Sequence, residues 1–438
     1  MNAAGNPYRA APGSEPPELA GRVHELGAVD TALAMGRAGQ PAKPIVFTGL
    51  RGMGKTALLR TVERRAKALD GVVLFAEADA SLSFGETLQR SLRWATAGTA
   101  SLPKHVAAAL RAFEERLLKI SYELPAGAGS LAISAAEVDA QRESRSGDAL
   151  ENLLDSLSEQ LFDREQFLVL AIDEIQEGAR LELLRLIRAV HRTAGGGAPI
   201  TFFGAGLSQS PSILHAARAY TERWSFQRLD LLDAAAVEDA IAIPACALGV
   251  RWEPAAIAAI DRASGGYPYF VQELASAAWA AHAGDTIHAA DVERALPGAM
   301  RALDHELFDE QFAQLTPREM RYALALPDLG PGAHRSDEIV AALDRPSSEL
   351  SSIRSQLLKK DVIAAPSRGV LEFGCRSHRA TSSATAVRCR RRRHSPGRRK
   401  NDARVVRRVN ARRLSSLRPK SISAESLDAR CAPSISRT

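Results

Sequence analysis

The sequence predicts an α/β protein built on a doubly wound parallel sheet, followed by a small helical lid and a C-terminal winged helix. Three observations carry this. In the first half, short continuous apolar runs alternate with stretches of helical periodicity, the pattern of a parallel sheet covered on both faces. Strand signals then vanish from Leu232 to about Leu303, where Ala-rich helical segments follow one another. From Thr316 to Phe373 three helical segments precede two short strands, the order of a winged helix.

Taken in order, residues 1–20 are a Pro- and Gly-rich lead without periodicity, which suits an extended strap. The core covers 21–231. Its candidate strands are Pro44 to Thr48, Val72 to Glu77, Phe167 to Ile172 and Ile200 to Phe203, with Ser225 to Leu231 as a weaker fifth. A long Ala-rich stretch between Ser101 and Gly147 reads as an insertion with helical character. The lid covers 232–303 and the winged helix 304–374. The latter has helices at 317–326, 335–344 and 348–360, then strands Val362 to Ala365 and Val370 to Phe373 around Pro366-Ser367-Arg368-Gly369.

Composition narrows the function classes. A chain of 438 residues, 45% hydrophobic and 25% charged, has room for two to four domains at roughly 100–200 residues each. No apolar run reaches the roughly 20 residues of a spanning helix, and the polar N-terminus lacks a basic-then-apolar signal pattern, so the expectation is a cytoplasmic protein with no membrane partner. Of the four cysteines, Cys375, Cys389 and Cys431 fall in the tail and Cys246 alone in the body, with no metal-ligand spacing. The net charge of +6 is unevenly spread. The tail, 375–438, holds 19 of the 57 Lys and Arg and 3 of the 51 Asp and Glu, so it carries +16 and the body −10. This Arg/Ser-rich tail, with Arg390 to Arg393 unbroken, reads either as the product of a reading-frame shift near Gly374 or as a disordered basic arm with salt-sensitive affinity for nucleic acid.

The strongest chemical signal is Gly49-Leu50-Arg51-Gly52-Met53-Gly54-Lys55-Thr56, a G-x-x-x-x-G-K-[ST] run between a strand and a helix. Glycines let successive backbone N–H groups converge on phosphate oxygens, and the helix that follows turns its positive end to the same anion. Gly49, Gly52 and Gly54 would form the cradle, Lys55 would reach the β/γ-phosphates, and the Thr56 hydroxyl would hold Mg²⁺. Gly52-Met53-Gly54-Lys55-Thr56-Ala57 also reads as G-x-G-x-x-A with Glu77 closing the next strand, as in a dinucleotide fold, but the Lys-Thr pair argues against that. So does a second motif. Phe167 to Ile172 is an apolar strand that ends in Asp173-Glu174, which places two carboxylates at the edge where open α/β sheets bind ligands. Asp173 would position Mg²⁺ and its waters, and Glu174 would polarise an attacking water.

At this point the chain resembles AAA-type P-loop ATPases of the archaeal-ATPase, origin-recognition and STAND-like group over roughly residues 6–373. The resemblance rests on Asn6-Pro7-Tyr8, the Gly21-Arg22-x-x-Glu25-Leu26 box, the two motifs above with Asp173-Glu174-Ile175-Gln176, and Gly204-Ala205-Gly206-Leu207. Tyr220-Thr221-Glu222-Arg223 and Gly266-Tyr267-Pro268-Tyr269-Phe270 with Gln272 complete it. It implies that Gly21 and Arg22 lie against the adenine, or else mark a helix start. It implies that Gly266, Tyr267 and Pro268 touch base and ribose, or else form a plain turn. Arg223 falls where such ATPases place an arginine that answers the γ-phosphate, in cis or from a neighbouring subunit; the alternative is a surface ion pair.

The sequence also departs from that pattern. No Arg follows Gly266-Tyr267-Pro268 in the usual second-sensor position, and the strand ending in Gly204 lacks a polar sensor, so the resemblance implies a slow switch rather than a ring-shaped motor. Zinc-protease and nucleophile-elbow readings fail, because Ala28 and Asp309 stand where a second His is needed and Ser210 where Gly is. In the third C-terminal helix Leu350, Ile353, Leu357 and Leu358 form an inward stripe, with Ser352, Ser355, Gln356 and Lys359 outward and Arg354 and Lys360 on the flanks. With Arg368 at the hairpin tip, this face suits either duplex DNA or a protein partner. The sequence thus points to an ATP- and Mg-dependent regulatory ATPase, with an ATP-licensed DNA-binding protein and an ATP-dependent, self-associating scaffold as alternatives.

Overall fold

A computed structural model of the chain describes residues 5–9, 15–82, 86–88, scattered positions from 104 to 161, 166–195, 200–217, 219–303, 314–330, 333–360, 362–367 and 369–373. Most of the Ala-rich insertion, His305-Glu306, Arg368 and the whole tail lie outside the described residues. The chain divides into two compact units, Arg9–Asp233 and a second that joins Met1–Tyr8 to Ala234–Thr438.

The first unit is the α/β core. Its elements run α1 (Val23–Arg37), β1 (Ile45–Thr48), α2 (Lys55–Ala68), β2 (Val72–Glu77), β3 (Leu168–Asp173), a 3₁₀ turn (Ile175–Glu177), α3 (Arg180–Gly195), β4 (Ile200–Gly206), α4 (Ser210–Ala217), a second 3₁₀ turn (Ala219–Arg223) and β5 (Ser225–Arg228). The five strands are parallel in the order β2-β3-β4-β1-β5. β4 therefore inserts between β3 and β1, and the crevice beyond the carboxyl ends of β1 and β3 is the ligand position of such a sheet. Because strand side chains alternate, Val46, Leu168, Leu170, Ile172 and Phe202 pack in one buried cluster with Leu183, Leu186, Ile187 and Val190 of α3. Ile45, Phe47, Val169, Ala171 and Phe203 fill the other side, covered by Val29 and Leu33 of α1 and Leu58, Leu59 and Val62 of α2. Gly36 sets how close α1 lies: a Cβ there would stand 2.3 Å from Thr201 Oγ1 of β4.

The second unit begins with α5 (Ala234–Cys246), β6 (Arg251–Trp252), α6 (Pro254–Ser264), α7 (Pro268–Ala281), β7 (Thr286–Ile287) and α8 (Ala289–Leu303). The expected absence of strands is corrected here by the parallel β6–β7 pair. At two residues each, neither strand carries a readable alternation. The lead is also more than a strap. Tyr8 is buried in this unit, donates to Ile241 O at 2.6 Å, accepts from Trp252 Nε1 at 2.7 Å and meets the edges of Trp252 and Trp279. Asn6 anchors the same segment on Ser276 O and Oγ at 3.2 and 2.9 Å.

Further along come α9 (Pro317–Leu329), β8 (His334–Arg335), α10 (Ser336–Leu343), α11 (Ser347–Lys359), β9 (Ile363–Ser367) and β10 (Val370–Phe373). The expected three helices and two strands are present, and β8 makes a third strand in the order β8-β10-β9. Pro366 is tolerated because β9 is an edge. Tyr322, Ala323, Leu326, Ile339, Leu350, Leu357, Ile363 and Leu371 are buried, while Ser351, Ser352, Ser355 and Gln356 of α11 are exposed.

Candidate nucleotide site

The phosphate-loop geometry follows from its glycines. Gly52 and Gly54 adopt φ of 74° and 88°, a left-handed region open to glycine at little cost, and Gly54 caps the start of α2. Gly49 has no room to be anything larger without a shift, since its Cβ would lie 3.3 Å from Leu229 O. The loop hangs between two strand ends: Gly49 N–H donates to Gly206 O at 3.3 Å and Leu229 N–H to Thr48 O at 2.7 Å. Lys55, 6% exposed, curls back and donates to Gly49 O at 3.2 Å and Leu50 O at 2.8 Å. An ammonium held by two loop carbonyls sits inside the cradle where phosphate oxygens would replace them.

The two motifs meet. The Thr56 hydroxyl donates to Asp173 Oδ2 at 2.7 Å, across 117 residues of sequence. Asp173 ends β3, fully buried along its length, and its Oδ1 accepts the Glu174 N–H at 2.9 Å. Burial raises the Asp173 pKa above the ordinary value, opposed by the Thr56 hydroxyl and the Glu174 N–H. Among the described residues no group of three or more His, Cys, Asp or Glu is placed to hold a metal. A hydroxyl and a carboxylate side by side instead form the donor pair that suits Mg²⁺ arriving with phosphate oxygens and water. Glu174 turns the chain sharply at φ 47° and ψ 41°, left-handed for a residue with a side chain, a strain of about 1–3 kcal/mol that clusters at functional turns.

The other expected residues are placed differently. Arg22, 5% exposed, uses Nη2 to donate to Met53 O of the loop at 3.2 Å and to Asp230 O beyond β5 at 2.9 Å. Burial lowers its pKa, with the charges of Glu25 and Asp230 opposing. Its guanidinium thus braces the loop. Arg223 is exposed and ends the turn before β5. β5 pairs in register with β1, Ser225 opposite Ile45 and Arg228 opposite Thr48, so Arg223 lies at the edge of the sheet away from the phosphate loop, roughly 13 Å of strand removed. Gly266, at φ 77°, and Pro268, at the first turn of α7, form a tight junction in the second unit. Tyr267 between them is 5% exposed, with its ring 5.0 Å from that of Phe270.

Lys360, expected on the outward flank of α11, is committed elsewhere. Its ammonium lies 3.0 and 2.9 Å from the two oxygens of Glu319. Arg354 donates to Ser336 Oγ at 3.4 Å. Gln176 has no role legible from the motif Asp173-Glu174-Ile175-Gln176, yet its side chain bonds both Glu174 and the Leu207 N–H after β4.

A parallel sheet in this order, with a glycine cradle and a part-buried Thr–Asp pair at its carboxyl edge, defines a P-loop nucleotide-binding protein. Residues 18–203 match the family described as AAA ATPase domain, and the chain carries an AAA-type P-loop ATPase domain over that span. Residues 305–376 match a family described only as a domain of unknown function. The Walker-type ATPase of Pyrococcus abyssi shares the fold at a TM-score of 0.51 and 14% identity, covering 86% of this chain and 98% of that one. Two further similar structures are the RuvB Holliday junction branch migration motor of Thermotoga maritima (TM-score 0.41, 18% identity, 84% and 95% covered) and the Orc1 protein of Aeropyrum pernix in complex with DNA (TM-score 0.42, 17% identity, 85% and 94% covered). No curated protein matches the chain. Among the described residues no helix is long and apolar enough to cross a membrane.

Proposed function

We propose that the protein is a slowly hydrolysing regulatory ATPase, which couples its nucleotide state to a partner through the C-terminal module. The observation that carries this reading is the contact of Thr56 with Asp173 beside the buried Lys55, a phosphate cradle and a metal donor pair assembled from two distant motifs. In this reading Gly49, Gly52 and Gly54 present backbone N–H groups to the phosphates, and Lys55 exchanges its loop carbonyls for β/γ-phosphate oxygens. Thr56 and Asp173 would hold Mg²⁺, which supplies charge neutralisation on those phosphates. Glu174 accepts a proton from the attacking water. Arg22 holds the loop in shape by its bond to Met53 O.

Two features of the fold favour particular partners. The exposed Ser351, Ser352, Ser355 and Gln356 offer short hydrogen-bonding groups on one helix face, which favours duplex DNA as the partner in an ATP-licensed, initiator-like role. The position of Arg223 at the far edge of the sheet favours a γ-phosphate in a neighbouring copy over its own, and so ATP-dependent self-association. Steady-state ATP turnover by the full chain, measured against protein concentration with and without duplex DNA and with Glu174→Gln as blank, separates these. A rate raised by DNA supports the loading role. A DNA-indifferent rate that climbs faster than linearly with concentration, and does so no longer in Arg223→Ala, supports a scaffold. No turnover above the blank at any concentration refutes the ATPase reading.

A further inference from the structure

Gln176 sits in the 3₁₀ turn after β3, half-buried, with its amide between two elements. Its Oε1 accepts the Leu207 N–H at 2.9 Å and the Ser210 hydroxyl at 3.3 Å. Its Nε2 donates to Glu174 Oε2, and lies 3.4 Å from Glu177 Oε1. The orientation of the amide is dictated by its neighbours. A backbone N–H can only donate, so the oxygen must face Leu207, which leaves the NH₂ turned to the Glu174 carboxylate. Space enforces the same arrangement. A Cβ on Gly206 would lie 2.5 Å from Gln176 Oε1 and 2.3 Å from Ser210 Oγ, so only glycine at the end of β4 lets the amide seat.

Glu174 has no other fixed side-chain partner among the hydrogen bonds described for it, and its backbone stands in a strained left-handed conformation. A carboxylate that takes a proton from a positioned water depends on its orientation, and small displacements lower rates steeply. We propose that Gln176 is the positioning residue for Glu174, holding its carboxylate in register with the end of β4. A shift of the turn after β4, on which Leu207 and Ser210 lie, would move Glu174 through this one amide. This proposal rests on the reading of Glu174 as the group that polarises water.

The test compares full-chain Gln176→Ala, the near-isosteric Gln176→Glu, Ser210→Ala and Glu174→Gln. Steady-state kcat and KM for ATP, calorimetric ATP affinity and melting temperature are measured for each. Both Gln176 variants are expected to lose roughly 10- to 100-fold in kcat, with ATP affinity within about twofold of the parent and melting unchanged within about 3 °C. Ser210→Ala, which removes the longer of the two restraints on Oε1, is expected to lose less in the same parameter. Unchanged kcat in Gln176→Glu overturns the proposal, and so does a loss that appears only together with lost affinity and lowered melting. If Glu174→Gln turns over like the parent, the assignment of Glu174 has failed. If that variant is silent while both Gln176 variants are fully active, Gln176 alone has been misassigned.

Discussion

Arg22 is where the resemblance and the geometry imply different chemistry, and a substitution there tells them apart. Arg22 is 5% exposed and its Nη2 donates to Met53 O and Asp230 O, so Arg22→Ala removes two charge-assisted hydrogen bonds and leaves the buried Met53 carbonyl and the part-buried Asp230 carbonyl to find water or go unpaired. At about 1.5–3 kcal/mol for each bond, the loss is roughly 3–6 kcal/mol. For a unit of roughly 200 residues this lowers the melting temperature by about 10 °C. Because Met53 lies in the phosphate loop, affinity for ATP and for GTP should fall together. Arg22→Lys, which keeps the charge but not the fork, should recover part of both. The assay is thermal unfolding followed by circular dichroism, with calorimetric titration of each nucleotide. A contact with adenine gives the reverse: selectivity for ATP over GTP collapses while melting stays within a degree or two. That result would refute the bracing role.

Three further expectations follow from individual contacts. Tyr8→Phe deletes a hydroxyl that is both donor to Ile241 O and acceptor for Trp252 Nε1, and should destabilise the second unit by about 2–4 kcal/mol in denaturant titration; an effect below about 0.5 kcal/mol would show the segment 5–8 to be loosely held. Burial tends to raise the Glu319 pKa, but the Thr316 N–H, the Lys360 ammonium and the Thr316 hydroxyl outweigh it and hold the carboxylate below its ordinary range. A depressed acid stabilises the fold above its unfolded pKa, so this contribution is complete above about pH 4.5 and is lost as pH falls through the folded value. Glu319→Gln should therefore melt lower than the parent at pH 7 and approach it in acid; a gap that persists at low pH contradicts the ion pair with Lys360. Finally, Thr56→Val removes the hydroxyl that faces Asp173 at 2.7 Å, and should raise the Mg²⁺ concentration for half-maximal ATP turnover by about tenfold or more with the fold intact by circular dichroism; an unchanged requirement contradicts that donor pair.

The parts of the fold legible in the sequence were those with local causes. The phosphate loop is contiguous, and its Gly, Lys and Thr spacing fixes both the turn and the start of α2. β3 announced itself as an uninterrupted apolar run, and its true end one residue later, at Asp173, reflects ladder pairing with Glu77 of the neighbouring strand. The apolar run that marks β4 stops at Phe203 because Gly204 and Gly206 look like a turn in sequence. In the sheet they pair with Val46 and Thr48 of β1, and their missing side chains make room for Ile175 and Gln176. In the second unit β6, β7 and β8 stay hidden because they are two residues each.

Side-chain partners over long distances were not legible. Arg22 reaches carbonyls 31 and 208 residues away, and carbonyls carry no sequence signal. The burial of Tyr267 depends on Phe270, which only helical phase and packing could reveal. Gln176 could have been singled out by one question: what polar group approaches a β4 end made only of glycine and alanine?

The central claim is that Lys55, Thr56 and Asp173 form one nucleotide site, and calorimetric titration of ATP with Mg²⁺ into the full chain tests it most directly. Lys55→Ala should weaken binding by about a hundredfold, since it removes the buried cation at the phosphate cradle, while Glu174→Gln should bind as tightly as the parent and turn over no ATP. Equal affinity in Lys55→Ala and the parent would contradict the account at its foundation.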